Sequence, residues 1–109
     1  MEPVCVRLEG HLTSDSLAES LAGAEPALER SGQTGLIVDC QAMTGYDFSA
    51  RTSFVAWNKR HRDKITRVAI VTDNTLWHMV ISAMSLASRQ KMKPFNSLEQ
   101  ATDWAQRDD

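Results

Sequence analysis

A chain of 109 residues has room for one globular domain but not for two. Hydrophobic residues make up 42% of it and charged residues 24%, a balance that excludes an intrinsically disordered protein. The net charge of −2 and the pI of about 5.9 exclude a dedicated nucleic-acid-binding protein, which would carry a basic surface. We therefore expect a single domain over residues 1–109.

The apolar stretches of the sequence are too short for a membrane-spanning helix, which needs about 20 consecutive apolar residues. The N-terminus lacks the basic region and the long apolar stretch of a signal peptide. These features predict a cytoplasmic protein, with peripheral membrane contact as the alternative. Cys5 and Cys40 lie in apolar runs and outside any CxxC pair, which predicts buried free thiols.

The first third of the chain predicts a strand followed by an interrupted helix. Apolar and polar residues alternate over residues 4–9, which is typical of a strand with one buried face. Thr13 or Ser14 then provides the N-cap of a helix. Because Pro26 lacks a backbone donor, we expect this helix to break near Gly23 and a second short helix to begin at the proline.

The middle of the chain predicts two buried strands separated by a loop and a helix. Residues 35–40 and 65–72 are largely apolar runs, as in strands that are covered on both faces. Residues 41–48 contain a Thr-Gly pair and predict a loop. Ser49 then caps a helix that ends near residue 61. The buried face of this helix consists of Ala50, Phe54, Trp57 and His61.

A helix over residues 75–87, a short strand over residues 91–95 and a helix ending near residue 105 complete the chain. Pro94 indicates an edge position for the short strand, and Ser97 is the N-cap of the last helix. The element order is therefore β-α-β-α-β-α-β-α. This order predicts an α/β fold with a four-stranded, mainly parallel or mixed sheet and four to five helices.

Several short segments have a joint spacing that resembles STAS domains, and most closely their SpoIIAA-like subgroup. These segments are residues 8–13, Glu25-Pro26, Ile37-Val38-Asp39, Asp47-Phe48-Ser49-Ala50, residues 67–73 with Trp77, and residues 95–104. The resemblance covers nearly the whole chain and implies a STAS-like fold and a non-catalytic binding or regulatory domain. It also implies a relation to lipid-transfer domains of the CRAL-TRIO type, with which SpoIIAA-like proteins are often grouped.

The resemblance implies a partner-binding loop at Asp39, Asp47 and Ser49. In STAS antagonists of anti-sigma factors, a partner kinase phosphorylates a serine before the second helix, and Ser49 falls at that position. This chain departs from the pattern there, since Phe48 replaces a serine and Ala50 replaces a glycine. From the residues alone, the serine is a helix cap and the two aspartates are loop hydrogen-bonding residues.

The sequence contains no recognisable catalytic or cofactor-binding pattern. His11, His61 and His78 are scattered and lack the spacing of metal ligands. Neither a GxGxxG motif, nor a phosphate loop ending in GK[ST], nor a nucleophile elbow is present. We therefore expect no enzymatic activity, no metal and no cofactor.

The helix predicted over residues 75–87 carries more apolar surface than one buried face requires. Its predicted sheet-facing stripe is Leu76, Val80, Ala83, Met84 and Ala87. Its remaining apolar residues are Trp77, Met79, Ile81 and Leu86. Additional core packing, a homodimer contact, an apolar-ligand pocket and a membrane surface each explain such a helix.

Two functions therefore follow as hypotheses from the sequence. The first is a regulatory domain that engages a protein partner through residues 47–57. The second is a module that binds a hydrophobic ligand or an anionic membrane surface through its third helix. The surface in that case is Trp77, Met79, Ile81 and Met84, and the residues that attract anionic headgroups are Lys59, Arg60, Arg62 and Lys64.

Overall fold

The computed structural model of the protein describes residues 2–107, in which strands and helices alternate from one end to the other. The strands are β1 (Val4–Leu12), β2 (Thr34–Tyr46), β3 (Ile65–Val71) and β4 (Met92–Phe95). The helices are α1 (Ser14–Ser31), α2 (Phe48–Arg60), α3 (Thr75–Ser88) and α4 (Leu98–Ala105). This order confirms the predicted α/β architecture, with four helices in the part of the chain that is described.

The four strands form one sheet in the order β1-β2-β3-β4, and every neighbouring pair is parallel. Because parallel crossovers are right-handed, strands that follow one another across a sheet place their connecting helices on one face. The core agrees, since buried residues of α1, α2 and α3 pack in one cluster with one face of the strands. The last helix, α4, packs on the opposite face against β2 and β3.

The packing of α4 on the sheet depends on a close approach between the backbone of this helix and Gly35 in β2. A Cβ atom at this position would lie 2.3 Å from the carbonyl oxygen of Ala105. Next to this contact, Ala101 and Trp104 pack on the sheet, and Phe95 lies with its ring centroid 5.4 Å from that of the tryptophan. Glycine at position 35 therefore allows the helix to reach the strands.

Helix α1 is continuous, so the break predicted near Gly23 is wrong. Pro26 lies inside the helix and, with Ala22 one turn before it, faces solvent. Water can therefore reach the carbonyl that the proline leaves without its helical donor. The residues buried along one face of α1, on both sides of the proline, are Leu17, Leu21, Ala24 and Leu28. Their packing extends the helix through the proline.

Strand β2 runs to Tyr46, so the loop predicted over residues 41–48 is wrong. The extra length pairs with β1, which also extends past its predicted end to Leu12. Two register shifts interrupt the pairing, and Gly10 adopts a φ of 66° between them. Bulges of this kind disguise the alternating pattern of a strand, which is why the segment resembles a loop in the sequence.

The N-cap of α2 is Asp47, so the prediction of Ser49 as the cap is wrong. The caps predicted at Thr13 and Ser97 are confirmed, since their side chains accept hydrogen bonds from the first turns of α1 and α4, and Asn74 caps α3 in the same way. Among the cysteines, Cys40 is buried as predicted, whereas Cys5 is exposed.

Helix α3 packs on the sheet with a different face from the one predicted. The inward residues are Trp77, Val80, Ile81, Met84 and Ser88. Leu76, Ala83 and Ala87 of the predicted stripe are exposed instead. Because the helix is apolar on both sides, its sequence does not show which side faces the core.

Candidate functional site

An apolar pocket of about 70 Å³ lies between α2, α3 and the sheet. Most of its wall consists of buried core side chains of β1, β2, α2 and α3. The lining residues that are partly exposed, and therefore rim its mouth, are Met43, Tyr46, Arg51, Trp77 and Val80. The mouth thus lies where the end of β2 meets the first turns of α2 and α3.

The pocket exists because β2 is longer than its neighbour β3. Strand β3 ends at Val71, which pairs with Asp39, and beyond this point the described part of β2 pairs with β1 alone. Met43 and Tyr46 in the extension form one side of the mouth, and Trp77 in α3 forms the other. The rings of Tyr46 and Trp77 meet edge to face, with centroids 5.7 Å apart. This contact holds the two sides of the mouth in position.

The first turn of α2 presents an unburied aromatic ring beside this mouth. Phe48 is 74% exposed, and the guanidinium carbon of Arg51 lies 5.8 Å from its ring centroid. In the sequence, Phe48 is distinguished only as a departure from the STAS serine. The sequence did contain a signal that this aromatic residue is exposed, because it lies outside the predicted buried face of the helix.

Asp47 is held in place by two contacts with the end of β1. Its backbone N–H donates to the carbonyl of Leu12 at 2.8 Å, and its Oδ1 lies 2.7 Å from Nε2 of His11. Gly45 makes room for this histidine, because a Cβ there would lie 3.1 Å from Nδ1. The carboxylate of Asp47 therefore binds His11 and does not cap α2.

The structure does not bring Asp39 together with Asp47 and Ser49. Asp39 lies in the middle of β2 and accepts a hydrogen bond from the backbone N–H of Gln41 at 3.1 Å. Ser49 is exposed in the first turn of α2, two residues after Asp47. Within residues 2–107, no group of three potential metal-ligating His, Cys, Asp or Glu side chains is present.

Asp39 instead influences the two cysteines. Burial raises the pKa of the Cys40 thiol to about 12, and the nearby Asp39 carboxylate adds to the increase. Burial and the same carboxylate also raise the pKa of Cys5 above its usual value. Both effects disfavour the thiolate, so neither cysteine resembles an activated nucleophile.

Of the predicted anionic-contact residues, Lys59 and Arg60 lie in the last turn of α2, and Arg62 and Lys64 follow it, at the end of the helix away from Phe48. Lys64 pairs with Glu29 of α1, a hydrogen bond that raises the lysine pKa. Arg60 lines the groove between α1 and α2. Since α2 lies between α1 and α3, Arg60 and Lys64 are on the other side of α2 from α3.

The four predicted ligand residues of α3 separate into two groups. Trp77, Ile81 and Met84 line the pocket. Met79 faces solvent and is 75% exposed. Among residues 2–107, no helix has the length and apolar character needed to cross a bilayer. The helix therefore contributes to an internal cavity with one side and presents a separate apolar surface with the other.

The sequence model of the SpoIIAA-like family matches residues 4–106. No curated protein matches the chain. Among solved structures, the fold is similar to that of an uncharacterized protein of the DUF3478 family with a SpoIIAA-like fold from Shewanella loihica PV-4. The two have 19% sequence identity and a TM-score of 0.73, over 93% of this chain and 82% of the other. This likeness confirms the fold.

Proposed function

Because the chain belongs to the SpoIIAA-like family, we propose that it is a non-catalytic STAS-type binding domain that engages a protein partner through residues 47–57. In this proposal, the partner covers Phe48 and inserts an apolar side chain into the pocket. The observation that carries the proposal is the juxtaposition of an exposed aromatic ring with the mouth of an apolar cavity. Such anchors beside pockets are typical of protein interfaces.

The size of the pocket favours a protein side chain over a large ligand. Pockets for drug-sized ligands or cofactors occupy about 300–1,000 Å³. The volume of 70 Å³ is also below that of cavities that accept benzene, about 150 Å³. A small aliphatic side chain of a partner would instead fill a space of this size.

Phosphorylation of Ser49 is part of the proposal, because it would control the affinity of this surface. The serine is exposed beside Phe48, and the N-terminal end of α2 favours a phosphate electrostatically. Asp47 opposes it by like charge, but its pairing with His11 reduces this repulsion. A phosphate there would change the charge of the contact surface and thereby the affinity for the partner. Incubation with candidate kinases followed by mass measurement tests this step.

Photo-crosslinking tests the partner surface directly. A crosslinkable amino acid at position 48 should trap a defined protein in cells of the source organism, whereas the same group at Ala22 on α1 should not. With the trapped protein purified, Phe48→Ala and the pocket-filling Ala50→Leu should each lower its affinity at least about tenfold. Ala22→Leu adds the same volume at an exposed position and serves as the control. Unchanged affinity in both pocket-side variants would contradict the proposal.

A small apolar ligand is a second candidate, because Trp77, Ile81 and Met84 line the cavity. In this case, small alkanes or alcohols should shift the amide resonances of these residues in NMR spectra of the isolated chain. Ala50→Leu should abolish the shifts, while Ala22→Leu should retain them. The membrane alternative has less support, since Arg60 and Lys64 lie on the α1 side of α2.

A further inference from the structure

Helix α3 exposes an apolar stripe that the pocket and the proposed partner surface do not use. Its members are Leu76, Met79, Ala83 and Leu86, and the three large ones are 73%, 75% and 83% exposed. They follow one another at intervals of three, four and three residues, which is the a/d spacing of helices that pack side by side. No residue of α3 is acidic or basic apart from one histidine. The stripe is thus built like a helix-packing seam.

From this stripe we propose that α3 is the interface of a symmetric homodimer, in which the helices of two copies pack antiparallel across a twofold axis near residue 81. A twofold axis perpendicular to the helix pairs each residue before this point with the residue equally far beyond it. Leu76 then meets Leu86 of the second copy, and Met79 meets Ala83. The seam pairs leucine with leucine and a long side chain with a small one, so that the two helices can approach closely.

The charges that flank α3 fit the same axis. Asp73 and Arg89 are eight residues on either side of residue 81, and both are exposed. Neither takes part in an ion pair within residues 2–107. The antiparallel arrangement places Asp73 of each copy beside Arg89 of the other, whereas a parallel one would pair like charges. Antiparallel helix dipoles also attract each other.

A second copy fits this surface better than a membrane does. Amphipathic helices that lie on membranes usually carry basic residues along the border of their apolar face. Here the charges that flank α3 are one acidic residue, Asp73, and one basic residue, Arg89, and Arg60 and Lys64 lie on the α1 side of α2. Two helices of 14 residues bury less than the roughly 1,600 Å² of a standard interface, so we expect a micromolar dissociation constant.

Sedimentation equilibrium of the full chain tests the dimer, starting from a monomer mass of 12.2 kDa. The wild type should approach twice this mass at high micromolar concentration. Leu86→Glu should raise the dissociation constant at least about tenfold, because it places a charge against Leu76 of the second copy. Leu98→Glu introduces the same charge at a 43% exposed leucine on α4 and should leave the dimer intact. Circular dichroism verifies that each variant is folded.

A charge exchange tests the antiparallel orientation. Because the twofold axis creates this ion pair twice, Asp73→Arg or Arg89→Asp alone should weaken the dimer up to about 30-fold at the usual value for exposed pairs, and the double exchange should restore it. Aspartate tolerates the left-handed conformation of position 89, where φ is 58°. A wild type that stays monomeric to about 1 mM, a dimer indifferent to Leu86→Glu, or a double exchange without rescue would overturn the proposal. So would a monomer that binds lipid vesicles through Leu86, since the stripe would then be a membrane surface.

Discussion

Single residues determine how closely the layers of this protein approach each other. Gly35 lets the backbone of α4 reach β2, and Gly45 lets the ring of His11 lie against the end of the same strand. The second contact positions the histidine to hold Asp47, which in turn fixes the start of α2 beside Phe48. The absence of a side chain at these two positions therefore allows both the packing of α4 on the sheet and the geometry of the candidate site.

Gly35→Ala tests the first of these contacts. The added methyl group would overlap the carbonyl of Ala105, a backbone atom that can yield only if α4 moves. We expect a loss of about 1–3 kcal/mol in the free energy of unfolding, measured by urea denaturation. Gly23→Ala is the matched control, because its Cβ would meet open space in α1 and should stabilise the helix by about 0.5–1 kcal/mol. Equal stability of the two variants would contradict this account.

At the scale of elements, packing overrides local preference in both α1 and β2. The apolar face of α1 carries the helix through Pro26, and pairing with β1 carries β2 through two bulges. The extension of β2 has a functional consequence, since it supplies Met43 and Tyr46 to the pocket mouth. A shorter strand would leave this space open to water.

Pro26→Ala measures how much the proline in α1 lowers the free energy of unfolding. The alanine restores the hydrogen bond to the carbonyl of Ala22 and removes a steric clash, but it also adds conformational freedom to the unfolded chain. We expect a net gain of about 1–2 kcal/mol in unfolding free energy. Thermal denaturation by circular dichroism provides the measurement. A loss of stability would contradict the account in which packing carries α1 through a locally unfavourable proline.

At the scale of the whole molecule, the two faces of the sheet differ in their covering. Three helices close one face and form the larger core, which includes Cys40 and the pocket. The other face carries the single helix α4 over β2 and β3, and residues of β1 on that side, such as Cys5, Arg7 and Glu9, face solvent. The two cysteines therefore differ in accessibility because they lie on opposite sides of one sheet.

The burial of Cys40 predicts that the stability of the protein depends on pH. The pKa of Cys40 is raised to about 12 in the folded chain, so the protonated thiol stabilises the fold below pH 9, the ordinary value. This contribution is lost progressively as the pH rises from 9 towards 12. Unfolding free energies of the wild type and of Cys40→Ala should converge over this range.

A thiol reagent tests the difference in accessibility between the two cysteines. It should label one cysteine in the native chain and two after denaturation, and labelling of both native thiols would contradict the burial of Cys40.

The sequence by itself determined the order of elements, the parallel sheet and most helix caps, because hydrophobic periodicity and capping residues act over a few neighbouring positions. The wide apolar surface of α3 was also visible from the sequence. Only the tertiary structure decided that Trp77 lines a pocket while Leu76 faces solvent, that residues 41–46 belong to β2, and that Phe48 lies beside the pocket mouth. Those features depend on contacts between residues far apart in the chain, which no local pattern records.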